Sequence, residues 1–434
     1  MNKSILFFLF SIFVLNSSFL NCSLPELISE YKKEQFIKLS DHEKDIVFGN
    51  DLNLYSHFLQ QKMSMGRWVG DIYPKDSWFK VSEWKPMDIL DDSIMFLNNP
   101  RFFPYIEKFI LNDPNSQIAF IGDIHDNLDN LIDYLDVMKG LGYLDAKYNI
   151  CKYNFYVVFL GDYIDRSEKY KDKQVLNFLV KFYNQNPGSI FMLRGNHDEP
   201  NIEVPQEQLA RDSLKYNFFE TLPVALFVGV KEDEHKINFV QCCHGGIEPG
   251  FVLKPFLTTD GVSFQKILRI ERSKLDTDKM LNIDAENHFD LDCSLFRDFN
   301  VVANLSLIFI ALGFVWSDFW VDVLRQGLDI APDRDVFIYG EAATRSYLQN
   351  SSSPTRQLVK IVRGHQHAGQ MMLPLLRNDM CVPLWDKLVY TLISHVDKNK
   401  SFMIWHTAPN PEDWKFVHYY TEYGVENKWM CEDV

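Results

Sequence analysis

Apolar runs alternate with polar loops in the middle of the chain. Residues 117–121 form a short apolar run that ends at Gly122-Asp123, and apolar residues then recur at helical spacing from Leu128 to Met138. The same order begins again at residue 155, and a third apolar run begins at residue 189. Short apolar runs bounded by polar residues are typical of buried strands, and a helical spacing of apolar residues indicates amphipathic helices. The pattern therefore predicts successive units of strand, loop and helix.

Later apolar runs extend this pattern. Residues 223–230 and 237–243 flank the charged turn 231–236 and predict a β-hairpin. A last run, residues 358–362, leads into a polar motif at residues 363–367. Alternating strands and helices predict the α/β class, with a layered core and a crevice formed by the loops at the carboxyl ends of the strands. The polar motifs of the chain lie in these predicted loops.

The N-terminus has the layout of a secretory signal peptide. Lys3 precedes the apolar run 5–15, and the small polar residues 16–18 follow it. The run is too short for a membrane span, which needs about 20 residues. We therefore expect residues 1–22 to be a signal peptide and the protein to be exported to a periplasm or the extracellular space. A lipid anchor at Cys22 is the less favoured alternative.

Composition excludes some classes of protein. Of the 434 residues, 46% are hydrophobic and 15% aromatic, which indicates a folded chain. A net charge of −15 without a run rich in Lys and Arg argues against a nucleic-acid binding patch. The chain has seven cysteines and no CxxC pair, so a thiolate zinc site is not expected, and the pairing of the cysteines stays open.

Histidines cluster in the predicted loops. Five of the 12 histidines follow apolar runs and lie close to a glycine, namely His125, His197, His244, His365 and His367. The motifs Gly-Asp-x-His, Gly-Asp-x-x-Asp-Arg, Gly-Asn-His-Asp, His-Gly-Gly and Gly-His-x-His occur in this order. One Gly-Asp after a strand more often caps a helix. Together, however, the Asp, His and Asn side chains are the oxygen and nitrogen ligands that hold Mn, Fe or Zn.

This set of motifs resembles the calcineurin-like metallophosphoesterases, and it is most similar to their phosphoprotein phosphatase branch, the Ser/Thr protein phosphatases. The resemblance covers residues 117 to 406. It implies an α/β fold built as a four-layer β-sandwich flanked by helices, here with an N-terminal helical extension. The segments that carry the resemblance are 161–166, 222–225, 244–247, 316–318 and 363–366.

The resemblance also implies two bound metal ions, Mn, Fe or Zn. Ions of such a pair lie roughly 3.5–4 Å apart and share a bridging carboxylate, which the resemblance assigns to Asp162. His367 departs from the protein phosphatase pattern, but the broader superfamily uses a histidine here on the first ion, and we include it as a ligand. The first ion would be held by Asp123, His125 and Asp162, and the second by Asp162, Asn196, His244 and His365.

In such an enzyme a metal-bound hydroxide attacks the phosphorus directly. The resemblance makes His197 the acid that protonates the leaving oxygen and Asp165 the carboxylate that orients it. Arg166 and Arg334 match the two arginines that clamp the phosphate, since a guanidinium contacts two phosphate oxygens at once. The match of Arg334 is one residue short in spacing, and a surface ion pair is an equal alternative there.

Asp318 matches the carboxylate of the Trp-Ser-Asp motif beside the site, with a helix cap or a core ion pair as the alternative. Three further positions depart from the family, which usually has Gly at the positions of Asp126 and Ser167 and Glu at that of Asp198. The interval from His244 to Asp318 is longer than usual and indicates an insertion.

These observations predict three segments. Residues 1–22 are the signal peptide, and residues 23–115 are an N-terminal extension of unknown role. Residues 116–434 are the catalytic domain, with an insertion at about 250–312.

The expected function is hydrolysis of phosphate monoesters by an exported dinuclear-metal phosphatase, acting on a phosphorylated protein or small molecule. One alternative within the same superfamily is a hydrolase of nucleotides, dinucleoside polyphosphates or phosphodiesters. Another is a metal-stabilised binding protein without turnover. Asp165, Arg166 and His197 argue against the binding protein, because metal binding alone does not require them.

Overall fold

The computed structural model describes only part of the chain. Residues 1–103 lie outside the described part, and with them the predicted signal peptide and most of the N-terminal extension. Within the described residues, no helix is both long and apolar enough to cross a membrane. The described residues are 104–164, 172–198, 219, 222–248, 251–267, 313–320, 326–331, 336–366, 381–392, 400–421 and 429–434.

Strands dominate the described residues, and the helices are few. The strands are, in chain order, β1 (Tyr105–Ile110), β2 (Gln117–Ile121), β3 (Phe155–Phe159), β4 (Ile190–Met192), β5 (Ala225–Lys231), β6 (Ile237–Cys243), β7 (Phe264–Lys266), β8 (Asp318–Phe319), β9 (Leu328–Ala331), β10 (Val336–Tyr339), β11 (Arg356–Arg363), β12 (Val382–Leu384), β13 (Val389–Thr391), β14 (Ser401–His406), β15 (Lys415–Thr421) and β16 (Trp429–Asp433). The helices are α1 (Leu128–Gly140), α2 (Asp172–Gln185), α3 (Lys254–Thr258), α4 (Gly313–Trp316) and α5 (Glu341–Asn350), and a 3-10 turn covers Pro411–Asp413.

The strands form two large sheets and one small one. The six-stranded sheet has the order β16-β15-β14-β2-β3-β4, and the seven-stranded sheet has the order β12-β13-β11-β6-β5-β1-β7. A third sheet contains β8, β10 and β9. The predicted hairpin is β5 and β6, which pair antiparallel along their whole length.

The two large sheets pack face to face, with helices on their outer faces. Side chains alternate along β2, so that Ile118 and Phe120 face the seven-stranded sheet while Ala119 and Ile121 face α1 and α2. Between the sheets, Trp405 stacks on Phe416 with ring centroids 5.6 Å apart. The outer face of the seven-stranded sheet packs against α3, α4 and α5. This arrangement confirms the predicted α/β class and the four layers.

One edge of the seven-stranded sheet comes from the predicted N-terminal extension and the predicted insertion. β1 precedes the boundary at residue 116, yet it pairs in parallel with β5. β7 lies in the predicted insertion and pairs antiparallel with β1. The sheet therefore includes residues from both the predicted extension and the predicted insertion, because an edge strand is defined by its distant partner and not by its own pattern. Residues 268–312 of the insertion lie outside the described residues.

Cysteines in the described residues are free thiols, namely Cys151, Cys242, Cys243, Cys381 and Cys431. Cys242 and Cys243 are buried in β6, as expected of strand residues.

The carboxyl ends of five strands meet at one edge of the sandwich. β2, β3 and β4 are parallel to one another, and β6 is parallel to β11. The loops that follow are tied across the two sheets, since the N–H of His365 after β11 donates to Oδ1 of Asp123 after β2 over 3.0 Å. The predicted polar motifs therefore share one edge, as the order of strands and helices indicated.

Candidate metal centre

The predicted ligands that the structure describes converge at this edge. Asp123 and His125 follow β2, Asp162 follows β3, Asn196 follows β4, His244 follows β6 and His365 follows β11. All of them are buried, from fully so at His244 to 8% exposed at His365. Residues far apart in the chain thus form one polar cluster inside the protein.

Asp162 lies at the middle of the cluster. Its Oδ2 is 3.5 Å from Nε2 of His125 and 3.2 Å from Nε2 of His244. Its Oδ1 accepts a hydrogen bond of 2.9 Å from the backbone N–H of His197. One carboxylate oxygen therefore stands between histidines that come from two different sheets, which is the position a bridging ligand occupies.

His244, Asn196 and His365 form one side of the cluster. Nε2 of His244 lies 2.8 Å from Oδ1 of Asn196 and 3.2 Å from Nδ1 of His365. Nδ1 of His365 is in turn 2.9 Å from the same Asn196 oxygen. The contacts are mutual, so the three side chains point their polar atoms at one small volume.

The tautomer of His244 shows that this volume fits a cation. Nδ1 of His244 lies 3.0 Å from the carbonyl oxygen of Leu160, which can only accept, so Nδ1 of the neutral ring carries the proton. Nε2 then presents a lone pair toward the oxygens of Asp162 and Asn196. Several lone pairs facing one another repel unless a positive charge lies between them, and a metal ion supplies one.

Asp123 and His125 form the other side. Nε2 of His125 is 3.8 Å from Oδ2 of Asp123, and Oδ1 of Asp123 accepts the backbone N–H of His365 over 3.0 Å. Two groups of three side chains each bring ligand atoms within 4.8 Å of one another, His125 with Asp162 and His197, and Asp123 with Asp162 and His244. Both groups contain Asp162, so the described residues offer two adjoining candidate sites that share one carboxylate.

Charges within the cluster shift the ionisation of its members. Burial opposes ionisation of Asp162, but the imidazoles of His244, His125 and His197 hold the pKa of this carboxyl well below its ordinary value. Burial also disfavours the charged form of His244, yet the carboxylates of Asp162 and Asp123 raise its pKa to about 8, so near neutral pH a metal ion bound at Nε2 takes the place of a proton there. Asp162 is therefore ionised at neutral pH, as a bridging ligand must be.

Several residues of the ligand loops have a left-handed backbone. The φ angles are +43° at His125, +63° at Asp126, +55° at Asp162 and +69° at His365. Non-glycine residues rarely adopt these angles, and where they do the surrounding structure maintains the strain, often at functional sites. The family usually has glycine at the position of Asp126, and aspartate is among the residues that best tolerate a left-handed backbone.

Glycines let the loops approach closely. A Cβ on Gly161 would lie 2.4 Å from the backbone nitrogen of Gly195, and a Cβ on Gly195 would lie 2.1 Å from Oδ1 of Asp162. On the other side, a Cβ on Gly364 would lie 2.5 Å from Oδ1 of Asp123. A side chain at Gly195 or Gly364 would displace a ligand, and one at Gly161 would displace the loop after β4.

The buried carboxylate of Asp318 lies near the ring nitrogen of His365 that faces away from Asn196 and His244. Oδ1 of Asp318 is 3.6 Å from Nε2 of His365 and 3.7 Å from the guanidinium of Arg363. Arg363 also donates to the carbonyl of Ser317 over 3.1 Å. The side-chain amide of Gln366 pairs with the backbone of the neighbouring β8. The sequence analysis gave Arg363 and Gln366 no role, although a charged residue at the end of an apolar run is a signal that could have found the first.

His197 is the one described residue that was predicted to act on the substrate. It is half-buried, and its ring lies 5.1 Å from the ring of His125. Asp165, Arg166, Arg334 and His367 lie outside the described residues, and their assignments stay predictions.

Comparisons with known proteins agree with the motifs. The family model of the calcineurin-like phosphoesterases matches residues 116–369. Among solved structures, a protein serine/threonine phosphatase from Saccharomyces cerevisiae with similarity to human phosphatase PP5 is 16% identical, with a TM-score of 0.41, over 86% of this chain and 94% of that one. A cold-active protein-tyrosine phosphatase of a psychrophilic Shewanella species is 15% identical, with a TM-score of 0.39, over 75% of this chain and 82% of that one.

Proposed function

The chain belongs to the calcineurin-like phosphoesterase family, and we propose on this basis that it is a dinuclear phosphatase that hydrolyses phosphate monoesters in the manner of the Ser/Thr protein phosphatases. Family membership makes the protein a metal-dependent phosphoric ester hydrolase. The observation that carries the proposal is the position of Asp162, whose Oδ2 lies between His125 and His244 from opposite sheets. A carboxylate oxygen between these two histidines can contact a metal ion on either side, as the bridging ligand of a pair of ions does.

We assign the described ligands to two ions, with the identity of the metals left among Mn, Fe and Zn. Bound together, such ions lower the pKa of a shared water and neutralise the charge of a phosphate. The His367 assignment is kept as an additional ligand of the first ion. The proposed sets are Asp123, His125 and Asp162 for the first ion, and Asp162, Asn196, His244 and His365 for the second.

His197 is proposed to donate the proton to the leaving oxygen. Its backbone N–H is bonded to Oδ1 of Asp162, so its loop is held against the centre of the cluster. Its ring is half-buried and next to His125, which leaves one side of the imidazole open to a substrate. We propose that Asp165 orients this ring.

Binding of the phosphate depends on local positive charge. The whole chain carries a net charge of −15, so its overall field repels an anionic substrate. We propose that Arg166 and Arg334 contact the phosphate oxygens with their planar guanidinium groups. The export of the protein by residues 1–22 is part of the same proposal, and it rests on the apolar run in that segment alone.

The proposal is tested by metal analysis and a panel of substrates. The purified chain is expected to hold two equivalents of metal, and with added Mn²⁺ to hydrolyse a phosphoserine peptide faster than a dinucleoside polyphosphate or a phosphodiester. Asp162→Asn should abolish both metal retention and turnover. Asp145→Asn is the matched control, because Asp145 lies in the connection between α1 and β3 at the opposite edge of the sheet.

Two results contradict the proposal. Turnover of the phosphodiester or the dinucleoside polyphosphate ahead of the phosphopeptide would replace the monoester assignment. Two bound ions without turnover of any ester would favour a binding protein.

A further inference from the structure

A buried carboxylate crosses between two of the ligand loops. Asp198 is fully buried, and it follows His197 in the loop after β4. Its Oδ2 accepts the backbone N–H of Gly195 over 2.8 Å and that of Asp162 over 2.9 Å. Its Oδ1 accepts the N–H of Tyr163 over 3.2 Å. One side chain thus binds the loop after β3 and the loop after β4.

The two loops are in direct contact where Asp198 joins them. Gly195 approaches Asp162 so closely that an added Cβ would lie 2.2 Å from the Asp162 nitrogen. The hydroxyl of Tyr163 donates to the carbonyl of Leu193 over 2.7 Å, which is a second connection between the same loops. The backbone geometry that Asp198 holds is therefore the geometry that places Asp162 next to Asn196.

The loop after β2 depends on the same arrangement. The backbone carbonyl of Asp162 accepts the N–H groups of Ile124 and His125, each over 2.9 Å. The carbonyl of Tyr163 accepts the N–H of Asp126 over 3.0 Å. A displacement of Asp162 and Tyr163 would therefore move His125 as well.

We propose that Asp198 is a positioning residue that holds three ligand loops in register, so that the two halves of the metal centre form together. The proposal rests on the proposed function, since it assigns Asp162, Asn196 and His125 as ligands. A carboxylate is suited to this task because it is an acceptor with two oxygens and here meets three N–H donors. The shorter side chain, where the family usually has Glu, matches the close packing of the two loops.

Asp198→Asn tests the proposal with little change in volume. The amide keeps one acceptor oxygen and turns an NH₂ group toward backbone N–H donors, so either the bond from Tyr163 or both bonds from Asp162 and Gly195 are lost. Loss of such support typically lowers metal affinity about 10- to 100-fold. We expect a loss of this size in Mn²⁺ affinity, measured by competition with a chelating dye, and a smaller rise in melting temperature when Mn²⁺ is added.

Asp145→Asn is again the matched control. Oδ1 of Asp145 accepts the backbone N–H of Lys147 over 2.7 Å and that of Asn149 over 2.9 Å, so it also holds a loop. This loop is remote from the cluster. Asp145→Asn should lower the melting temperature and leave the Mn²⁺ affinity as in the wild type.

Three results overturn the proposal. The first is wild-type Mn²⁺ affinity in Asp198→Asn, and the second is an equal loss of affinity in both variants, which would reflect general destabilisation. If Asp198→Asn does not fold, Asp198→Glu is measured instead, with its charge retained and an expected loss of affinity. Failure of both variants to fold would make Asp198 a determinant of the whole domain and is the third contradicting result. Absence of metal binding or turnover in the wild type instead contradicts the proposed function.

Discussion

Gly195→Ala is the sharpest test of how the ligand loops are packed. The added Cβ would lie 2.1 Å from Oδ1 of Asp162 and 2.2 Å from its backbone nitrogen, whereas ordinary van der Waals contact begins at 3.4 Å. The two loops must therefore separate by about 1 Å, which exceeds the roughly 0.5 Å within which a catalytic arrangement is held. Because Asp162 is backbone-bonded to its neighbours, it cannot move alone.

The expected effect is a large loss of activity with a moderate loss of stability. A misplacement of about 1 Å at a reacting centre can cost on the order of 100-fold in rate. Overpacking of a close contact costs about 1–3 kcal/mol in the free energy of unfolding. The assay is kcat/KM for para-nitrophenyl phosphate with Mn²⁺, together with urea unfolding of the same preparations.

Gly140→Ala is the control for this substitution. Gly140 is the last residue of α1, and nothing lies within 4 Å of the position that its Cβ would take. Alanine should leave kcat/KM unchanged there, since the change is remote from the cluster. If Gly195→Ala retains activity within about threefold of Gly140→Ala, the loops are not as tightly coupled as the distances indicate and the reasoning from close approach is wrong.

Three further predictions concern single side chains. His197→Asn should lower kcat about 100- to 10,000-fold while two metal equivalents are retained, as measured by elemental analysis; loss of metal would instead make His197 a ligand. Asp318→Asn should weaken Mn²⁺ binding about tenfold, because the carboxylate 3.6 Å from Nε2 of His365 favours the tautomer that directs the Nδ1 lone pair at the cluster; unchanged affinity contradicts this. Burial lowers the pKa of His418 from 6.5 to about 4, so the stability contributed by its neutral form is complete above pH 6.5 and is lost as the pH falls to about 4. Between these pH values, the free energy of unfolding measured in urea should fall by about 3 kcal/mol more for the wild type than for His418→Gln. If the free energies of unfolding of the two proteins change with pH in parallel, His418 is not a buried neutral imidazole.

Local patterns in the sequence predicted the central elements well. The run 117–121 is β2, the helical spacing that begins at Leu128 is α1, and the run 358–362 lies within β11. These elements have complete local signals, an apolar run or a helical period bounded by polar residues or glycine. The family match over residues 116–369 bears out the motifs that follow them.

Other elements have no such local signal. β14 was not predicted, yet it pairs antiparallel with β2 in the middle of the six-stranded sheet. β1 and β7 form the edge of the other sheet, and they lie in the predicted N-terminal extension and the predicted insertion. Their places depend on partners far along the chain, and a strand's own residues carry little information about a distant partner.

The sequence by itself determined which residue types are available for the chemistry. Asp123, Asp162 and His244 each lie in a polar motif directly after an apolar run, and the resemblance of these motifs to the calcineurin-like family named them as ligands. Their order and spacing also indicated one edge of a sheet, since parallel strands place their carboxyl ends together.

Only the tertiary structure decided how these residues meet. It placed the Asp162 oxygen between histidines of two sheets, fixed the tautomer of His244 through the Leu160 carbonyl, and put Asp198 across two loops. These features depend on distances between segments remote in the chain, and such distances are set by the packing of the two sheets and by backbone hydrogen bonds. A linear pattern of residues contains the donors and acceptors, and folding determines which of them face each other.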